Sequence, residues 1–71
     1  MNEKDEKKSF GEYIRQKRLH ANLTQKELAD RLYVTESTIS KWERGLSYPD
    51  ISMVTPICAA LHITEHEFFT A

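Results

Sequence analysis

The sequence contains few of the residues on which the chemistry of many small proteins depends. Its single cysteine, Cys58, excludes an intramolecular disulfide and any cysteine-rich zinc site. The two glycines, Gly11 and Gly45, lie far apart, so the chain has no glycine-rich phosphate loop. No apolar run approaches the length of a signal peptide or a membrane span. We therefore expect a cytoplasmic protein that makes no contact with a membrane.

Lys and Arg are absent from the last third of the chain. Residues 1–49 hold all ten basic residues against eight acids and carry +2, whereas residues 50–71 hold three acids and carry −3. The total of −1 argues by itself against a polyanionic partner, but this distribution leaves the first two-thirds able to meet one. A chain of 71 residues is expected to form one small domain with a limited core and little room for a catalytic pocket. We therefore expect no enzymatic activity.

Residues 24–45 predict two short helices joined by a tight turn. Thr24 and Glu27 have the spacing of a capping box at the start of the first helix. Thr35 is the next candidate N-cap, and Gly45 stands where a glycine commonly ends a helix. Apolar residues mark one face of each helix and are expected to point inward: Leu28, Ala29, Leu32, Ile39 and Trp42.

The second of these helices, residues 35–44, has an unusual outer face. Its exposed stripe carries hydrogen-bonding side chains of modest length and few long apolar groups. Such a helix fits the major groove of DNA, where base edges present donors and acceptors, while the helix before it crosses the backbone. The alternative is an ordinary helical hairpin in a small bundle. The stripe consists of Glu36, Ser37, Ser40, Lys41 and Arg44.

The sequence resembles the Xre-type helix-turn-helix family, which includes Cro and the lambda-like repressors. The resemblance is carried by L-T-Q-x-E-L-A at residues 23–29 and S-T-I-S-K-W-E-R-G at residues 37–45, followed by Pro49. It extends over nearly the whole chain, from about residue 10 to residue 69. It implies an all-α fold and sequence-specific binding of double-stranded DNA, most often by a transcriptional repressor. Such a protein would be associated with the nucleoid.

The chain departs from the family in the turn, where Tyr33 replaces the usual glycine. If the turn keeps a left-handed residue, Tyr33 carries a strain of about 1–2 kcal/mol. Alternatively, the turn differs and so does the angle between the two helices.

Base contacts are expected from four residues of the outer face. Lys41 can donate to guanine O6 and N7, and Glu36 can accept from cytosine N4. Glu36 could instead be an acid favoured by the positive end of the helix dipole. Ser37 and Ser40 can contact several base edges or a phosphate.

Phosphate contacts are expected on both sides of this helix. Gln25 lies at the first turn of its helix, and the family resemblance implies that it contacts a phosphate. The other candidates flank the recognition helix: Thr35, Arg44, Ser47 and Tyr48.

A charged residue continues the apolar stripe of the first helix. Phe10 and Ile14 define this stripe, and Arg18 is the next residue on it. An unpaired buried charge is costly, so Arg18 needs an anionic partner. Glu43 is the obvious candidate, and the family resemblance implies the same pair. Alternatively, Arg18 extends to solvent or to a phosphate.

The boundaries of the domain follow from the same signals. Residues 1–8 mix both charges without an apolar anchor and predict a disordered tail, which leaves residues 9–71 as the domain. Ser9 and Glu12 predict the start of the first helix, and Asn22 can end it. The whole domain is expected to be a compact bundle of five short helices.

The fourth helix is expected to start after Asp50 as its cap. Pro56 lies inside this helix, so we expect a kink, or a short turn followed by a restart capped by Thr55. The residues expected to point inward are Ile51, Val54, Ile57, Cys58 and Leu61.

A third capping box, Thr64 with Glu67, begins a short last helix. This boundary separates His62 from His66, so their four-residue spacing does not indicate a metal site, and no cofactor is expected. Phe68 and Phe69 cannot both face inward. We expect Phe68 to pack on the core and Phe69 to remain exposed.

A single helix-turn-helix reads only a few base pairs, so we expect a homodimer, at least on DNA, and a palindromic operator. Phe69 is the candidate for the dimer contact; alternatively it covers its own first helix or packs on a following domain. The competing hypothesis for the whole protein is a helical protein-interaction module or an antitoxin-like protein that binds a partner.

Overall fold

The computed structural model describes the backbone of residues 3–70 and the side chains of residues 9–70. These residues form an all-α bundle, as predicted. A single 3₁₀ turn, Ile51–Met53, precedes the fourth helix. The five helices are α1 (Glu3–His20), α2 (Gln25–Leu32), α3 (Glu36–Glu43), α4 (Val54–Leu61) and α5 (Glu65–Thr70).

The core is formed by the apolar faces of all five helices. Ile14, Leu28, Ile39 and Ile57 are its largest fully buried side chains, one from each of α1 to α4. Burying one side chain of this size contributes about 1.5–3 kcal/mol. Phe68 completes the core from α5, where its ring meets that of Phe10 at a centroid distance of 5.4 Å. Within residues 3–70, no helix is long and apolar enough to cross a membrane.

The first helix begins earlier than predicted. The backbone is already helical at Glu3, so the predicted start at Ser9 is wrong, and the disordered tail predicted over residues 1–8 is not observed for residues 3–8. Met1 and Asn2 lie outside the described residues, as does Ala71. The S-x-x-E spacing permits a helix start without requiring one. Residues 3–8 are mostly Glu and Lys, which are good helix formers, so a helix can continue through them.

Gly11 lets α1 approach α3 closely. A Cβ atom placed on Gly11 would lie 2.5 Å from the carbonyl oxygens of both Trp42 and Glu43. These are backbone atoms at the end of α3, so they cannot move aside as a flexible side chain would. The absence of a side chain at Gly11 therefore brings the two helices together and sets the position of α3.

Four helices are followed within two residues by a residue in the left-handed conformation; after α3 this residue is Gly45, with φ 76°, and the other three are not glycine. Asn22 follows α1 with φ 59°, as predicted, and His62 follows α4 with φ 57°. Tyr33 follows α2 with φ 57°, so the turn keeps the left-handed residue that the family usually supplies as glycine. His62 therefore lies outside the helix that carries His66, and the two histidines do not share a helix face.

The region around the fourth helix differs from its prediction in two details. Asp50 caps the 3₁₀ turn, and its carboxylate accepts from the Ser52 backbone N–H at 3.0 Å. Ile51 is 73% exposed, so its predicted inward position is wrong. The separate turn at residues 51–53 breaks the helical period that would have carried Ile51 onto the inner face.

The restart predicted after this turn occurs, but at a different residue. The helix α4 begins at Val54 rather than after Thr55. Pro56 then occupies its first turn, where a backbone N–H has no partner within the helix and its loss costs nothing. The Thr55 hydroxyl donates to the Glu65 carboxylate at 3.0 Å instead of capping α4. Cys58 is a buried core residue, and burial, followed by the nearby Glu65 and Glu67, raises the pKa of its thiol.

Candidate nucleic-acid interface

The start of α2 is fixed by a reciprocal capping box. The Thr24 hydroxyl accepts from the Glu27 backbone N–H at 3.0 Å, and the Glu27 carboxylate accepts from the Thr24 backbone N–H at 2.9 Å. The hydrogen bonds from Thr24 lower the pKa of Glu27, with a smaller contribution from the positive charge of Arg31. Two of the free N–H groups of this helix end are therefore satisfied within the chain, which holds the end of α2 in a defined direction.

The turn between α2 and α3 is held by the backbone. The Val34 N–H donates to the Ala29 carbonyl at 3.0 Å, and the Tyr33 N–H donates to the Asp30 carbonyl at 3.4 Å. Ala29 is buried and lets the two helices meet. Tyr33 is 96% exposed, so packing of its ring does not compensate for its left-handed backbone. The turn thus keeps the usual geometry at a cost of about 1–2 kcal/mol at Tyr33.

The helix α3 buries one face and exposes another. Ile39, Trp42 and Glu43 are buried against the other helices. The exposed residues are polar: Glu36, Ser37 and Lys41. Thr35 caps the helix, where its hydroxyl accepts from the Thr38 backbone N–H at 3.2 Å and lies 2.9 Å from the Thr38 hydroxyl.

Ser40 and Arg44 interact at the end of α3. The Arg44 Nε donates to the Ser40 carbonyl at 3.3 Å and to the Ser40 hydroxyl oxygen at 3.1 Å. Ser40 is half-buried, whereas Arg44 is exposed. The Ser40 hydroxyl keeps its own proton to donate, and Arg44 keeps its two terminal nitrogens. Both side chains can therefore still meet a ligand, but as a connected pair.

The end of α3 carries a buried ion pair. Arg18 Nε donates to Glu43 Oε2 at 2.6 Å, and Arg18 Nη2 donates to Glu43 Oε1 at 3.1 Å. The side chains are 9% and 3% exposed, respectively. Arg18 Nη1 also donates to the Leu23 carbonyl at 2.9 Å. The arginine therefore lies against the partner expected from the sequence and also ties the loop before α2 to this pair.

A contact that the sequence did not predict joins Gln25 to the same carboxylate. Gln25 Nε2 donates to Glu43 Oε1 at 3.1 Å, although the two residues are 18 positions apart. No local spacing rule connects residues at this separation, so only the docking of α2 on α3 reveals the contact. Gln25 also lines an open groove with Glu36, which places the first turns of α2 and α3 side by side.

The loop after α3 carries the last two candidates. Ser47 is half-buried, and Tyr48 is partly exposed with its ring 5.2 Å from that of Phe10. The structure therefore gathers Glu36, Ser37 and Lys41 on one exposed face. The candidates for phosphate contact lie at its ends or beside it: Gln25, Thr35, Arg44, Ser47 and Tyr48.

The sequence model of a family described as helix-turn-helix matches residues 14–68. The chain belongs to this helix-turn-helix family. The resemblance to Xre-type proteins is thereby confirmed. The family binds double-stranded DNA, and transcription regulation is the function shared by the family and the relatives of this domain; they are not enzymes.

One relative of the helix-turn-helix domain is the HTH-type transcriptional activator BcrR of Enterococcus faecalis. It is 39% identical over 61 residues, which cover 86% of this chain and 30% of BcrR. This chain therefore spans less than one third of the length of that relative.

Solved structures share the same fold. The restriction-modification controller protein C.AhdI of Aeromonas hydrophila superposes with a TM-score of 0.86 and 25% identity, covering 97% of this chain and 100% of C.AhdI. The clp gene regulator ClgR of C. glutamicum gives a TM-score of 0.81 at 23% identity, covering 90% of this chain and 82% of ClgR. The likeness to ClgR concerns the fold alone.

Proposed function

We propose that this domain regulates transcription by inserting α3 into the major groove of double-stranded DNA and reading base edges there. The observation that carries the proposal is the contrast between the two faces of α3. Its inner face is buried, while Glu36, Ser37 and Lys41 are exposed and polar. Among the described residues of α3, none is a large exposed apolar side chain of the kind that anchors a protein partner.

The base contacts in this proposal follow from donor and acceptor chemistry. Lys41 donates to guanine O6 and N7, and Glu36 accepts from cytosine N4. Ser37 is exposed and can bond to several base edges. Ser40 contributes through its remaining hydroxyl proton, because Arg44 already donates to its oxygen.

The phosphate contacts in this proposal hold α3 in register on the duplex. Thr35 and Gln25 serve one end, where the positive ends of two helix dipoles also favour phosphate. The contacts on the other side come from Arg44, Ser47 and Tyr48. Arg44 is exposed and charged, so its loss should also reduce the salt dependence of binding.

We propose that the domain binds a palindromic operator as a homodimer, with half-sites about 34 Å apart. The support is an exposed aromatic side chain on the last helix. Phe69 is 63% exposed while its neighbour Phe68 is 9% exposed, and their rings are 5.5 Å apart. The region after residue 49 has no Lys or Arg, so it is separate from the part of the chain proposed to meet DNA. Phe69 is therefore the proposed dimer contact.

The proposed effect of operator binding is repression, because a protein on the major groove excludes polymerase wherever the two sites overlap. Activation is the second candidate, favoured by the relative BcrR, which is described as an activator. A reporter with the selected site placed within or upstream of a promoter separates them. Repression predicts loss of expression only for the overlapping site, whereas activation predicts a gain from the upstream site. The proposed location is the cytoplasm, on the nucleoid.

Selection of bound sequences from a random DNA pool tests the proposal. We expect enrichment of one motif with two-fold symmetry, and we expect its affinity to fall steeply as salt rises. A pool that shows no enrichment, with weak binding that does not depend on salt, would overturn DNA reading and favour a protein-interaction or antitoxin-like module.

A further inference from the structure

One carboxylate, that of Glu43, accepts hydrogen bonds from two different elements. Arg18 of α1 occupies both of its oxygens, at 2.6 Å and 3.1 Å. Gln25, the first residue of α2, donates Nε2 to Oε1 at 3.1 Å. The Glu43 side chain is 3% exposed, whereas Gln25 is half-buried and reaches solvent. Glu43 thus joins a buried charge to a side chain at the surface that α2 presents.

The chemistry of these groups fixes which way the Gln25 amide points. An ionised carboxylate only accepts hydrogen bonds, so it must face the amide nitrogen and not the amide oxygen. The second proton on Nε2 then remains for a ligand. A phosphate oxygen also only accepts hydrogen bonds. The remaining Nε2 proton of Gln25 can donate to it, whereas the amide oxygen of Gln25 cannot and must point away from the phosphate.

We propose that Glu43 is a positioning residue for DNA binding, which orients the Gln25 amide so that its free N–H meets a backbone phosphate. Arg18 supports this role by holding the carboxylate in place through two hydrogen bonds. The proposal rests on the proposed function, since it needs the DNA backbone to pass the first turn of α2. Glu43 itself remains buried and touches no DNA.

A purely structural role does not account for the contact with Gln25. Arg18 alone already occupies both oxygens of Glu43, so the ion pair is complete without the glutamine. Fixing a half-exposed glutamine costs side-chain entropy and gives little stability in return. The same ordering strengthens binding, because the entropy is lost on folding and need not be lost again when DNA binds.

The test is a double-mutant cycle measured on DNA affinity, with Glu43→Gln, Gln25→Ala and the combined variant titrated on the selected operator. The amide introduced by Glu43→Gln can donate as well as accept a hydrogen bond. It therefore no longer fixes the orientation of the Gln25 amide, whose oxygen can then turn towards the phosphate. We expect Glu43→Gln to weaken binding about three- to tenfold, as for the loss of one hydrogen bond. In the Gln25→Ala background, the same change should alter affinity less than about twofold. The matched charge control is Glu12→Gln, an exposed carboxylate of α1.

Two further measurements guard against a folding artefact. Thermal unfolding of each variant sets a titration temperature at which all variants are folded. Arg18→Met combined with Glu43→Met replaces the buried pair by apolar side chains of similar size, which commonly preserves folding. This variant should lose the same affinity as Glu43→Gln and should likewise be insensitive to Gln25→Ala.

A DNA probe identifies the phosphate directly. Replacing one phosphate at a time by an uncharged methylphosphonate should reveal a position that weakens binding by the native chain. At that position, the loss should shrink in both Gln25→Ala and Glu43→Gln. Equal losses from Glu43→Gln with and without Gln25 would overturn the positioning role. A Gln25→Ala variant that binds the operator as well as the native chain would also overturn it, while leaving operator reading intact; absence of any selected operator would instead refute the proposed function.

Discussion

The two halves of the bundle leave different groups at the surface. In the half formed by α1, α2 and α3, the outer face of α3 is polar, and the buried charges of Arg18 and Glu43 are hydrogen-bonded to each other. Large apolar side chains are exposed in both halves: Leu19 and Tyr33 in the first, and Ile51 and Phe69 in the half formed by the turn, α4 and α5. Lys and Arg occur only in the first half. The two halves therefore differ in charge, and the basic side chains that suit a polyanionic partner lie only in the first half.

The largest effect should come from removing one partner of the buried ion pair. Arg18→Ala or Glu43→Ala leaves an unpaired buried charge, at an expected cost of about 3–5 kcal/mol in the free energy of unfolding. Denaturant unfolding of both single variants and the double variant measures the coupling. Because each single change already strands the other charge, the double change should cost much less than the sum. A coupling free energy near zero would mean that the two charges are separately solvated.

The next effect concerns the close approach of α1 to α3. A Cβ at Gly11 would lie 2.5 Å from two carbonyl oxygens, so Gly11→Ala should destabilise the domain by about 1–3 kcal/mol, despite the better helix propensity of alanine. Gln16→Ala, at an exposed position of the same helix, is the control and should not destabilise. A Gly11→Ala chain as stable as the control would show that the helices separate freely.

Relief of strain in the turn should have a smaller effect of opposite sign. Tyr33 holds a left-handed conformation while its ring is exposed, so Tyr33→Gly should stabilise the domain by roughly 0.5–1 kcal/mol after the entropy of glycine is counted. Asn22→Gly is the matched control, since asparagine tolerates this conformation better and should gain less. If Tyr33→Gly lowers the melting temperature, the exposed ring contributes a contact of its own.

The smallest effect on stability, but the largest on assembly, is expected from the second half. Phe69→Ser should change the unfolding free energy by less than about 0.5 kcal/mol, because the ring is mainly exposed. Analytical ultracentrifugation of the native chain and of Phe69→Ser, with and without a palindromic site, measures whether each protein is a monomer or a dimer. Ile51→Ser is the control, as it removes another exposed apolar side chain outside α5. If the native chain and Phe69→Ser are both monomers and bind the palindrome with identical cooperativity, Phe69 is not the dimer contact.

The elements that local chemistry controls could be predicted from the sequence. The capping box at Thr24 and the N-cap at Thr35 depend on neighbours within three residues, and the structure shows both. The inward position of Phe68, predicted from its place five residues after Ile63 and just past the cap of the last helix, is also observed.

Other features could not be predicted from local chemistry. The predicted start of α1 at Ser9 is wrong, because good helix formers before Ser9 let the helix begin earlier and continue through it. The bond between Gln25 and Glu43 depends on how two helices dock, which no pattern along the chain encodes. The contacts between individual residues and DNA remain predictions for the same reason, since they require the partner.

If the exposed face of α3 reads base sequence, removal of the Lys41 side chain should affect recognition at a single base pair. Lys41→Ala should weaken binding to the selected operator by roughly 1–3 kcal/mol and relax the preference at one base pair, because a base contact is lost there. The measurement is the affinity of the native chain and the variant for the operator and for each single base-pair change in it, at one salt concentration. Discrimination between base pairs is expected to fall at one position only. An equal loss of affinity on every sequence, with discrimination unchanged, would contradict it and make Lys41 a phosphate contact.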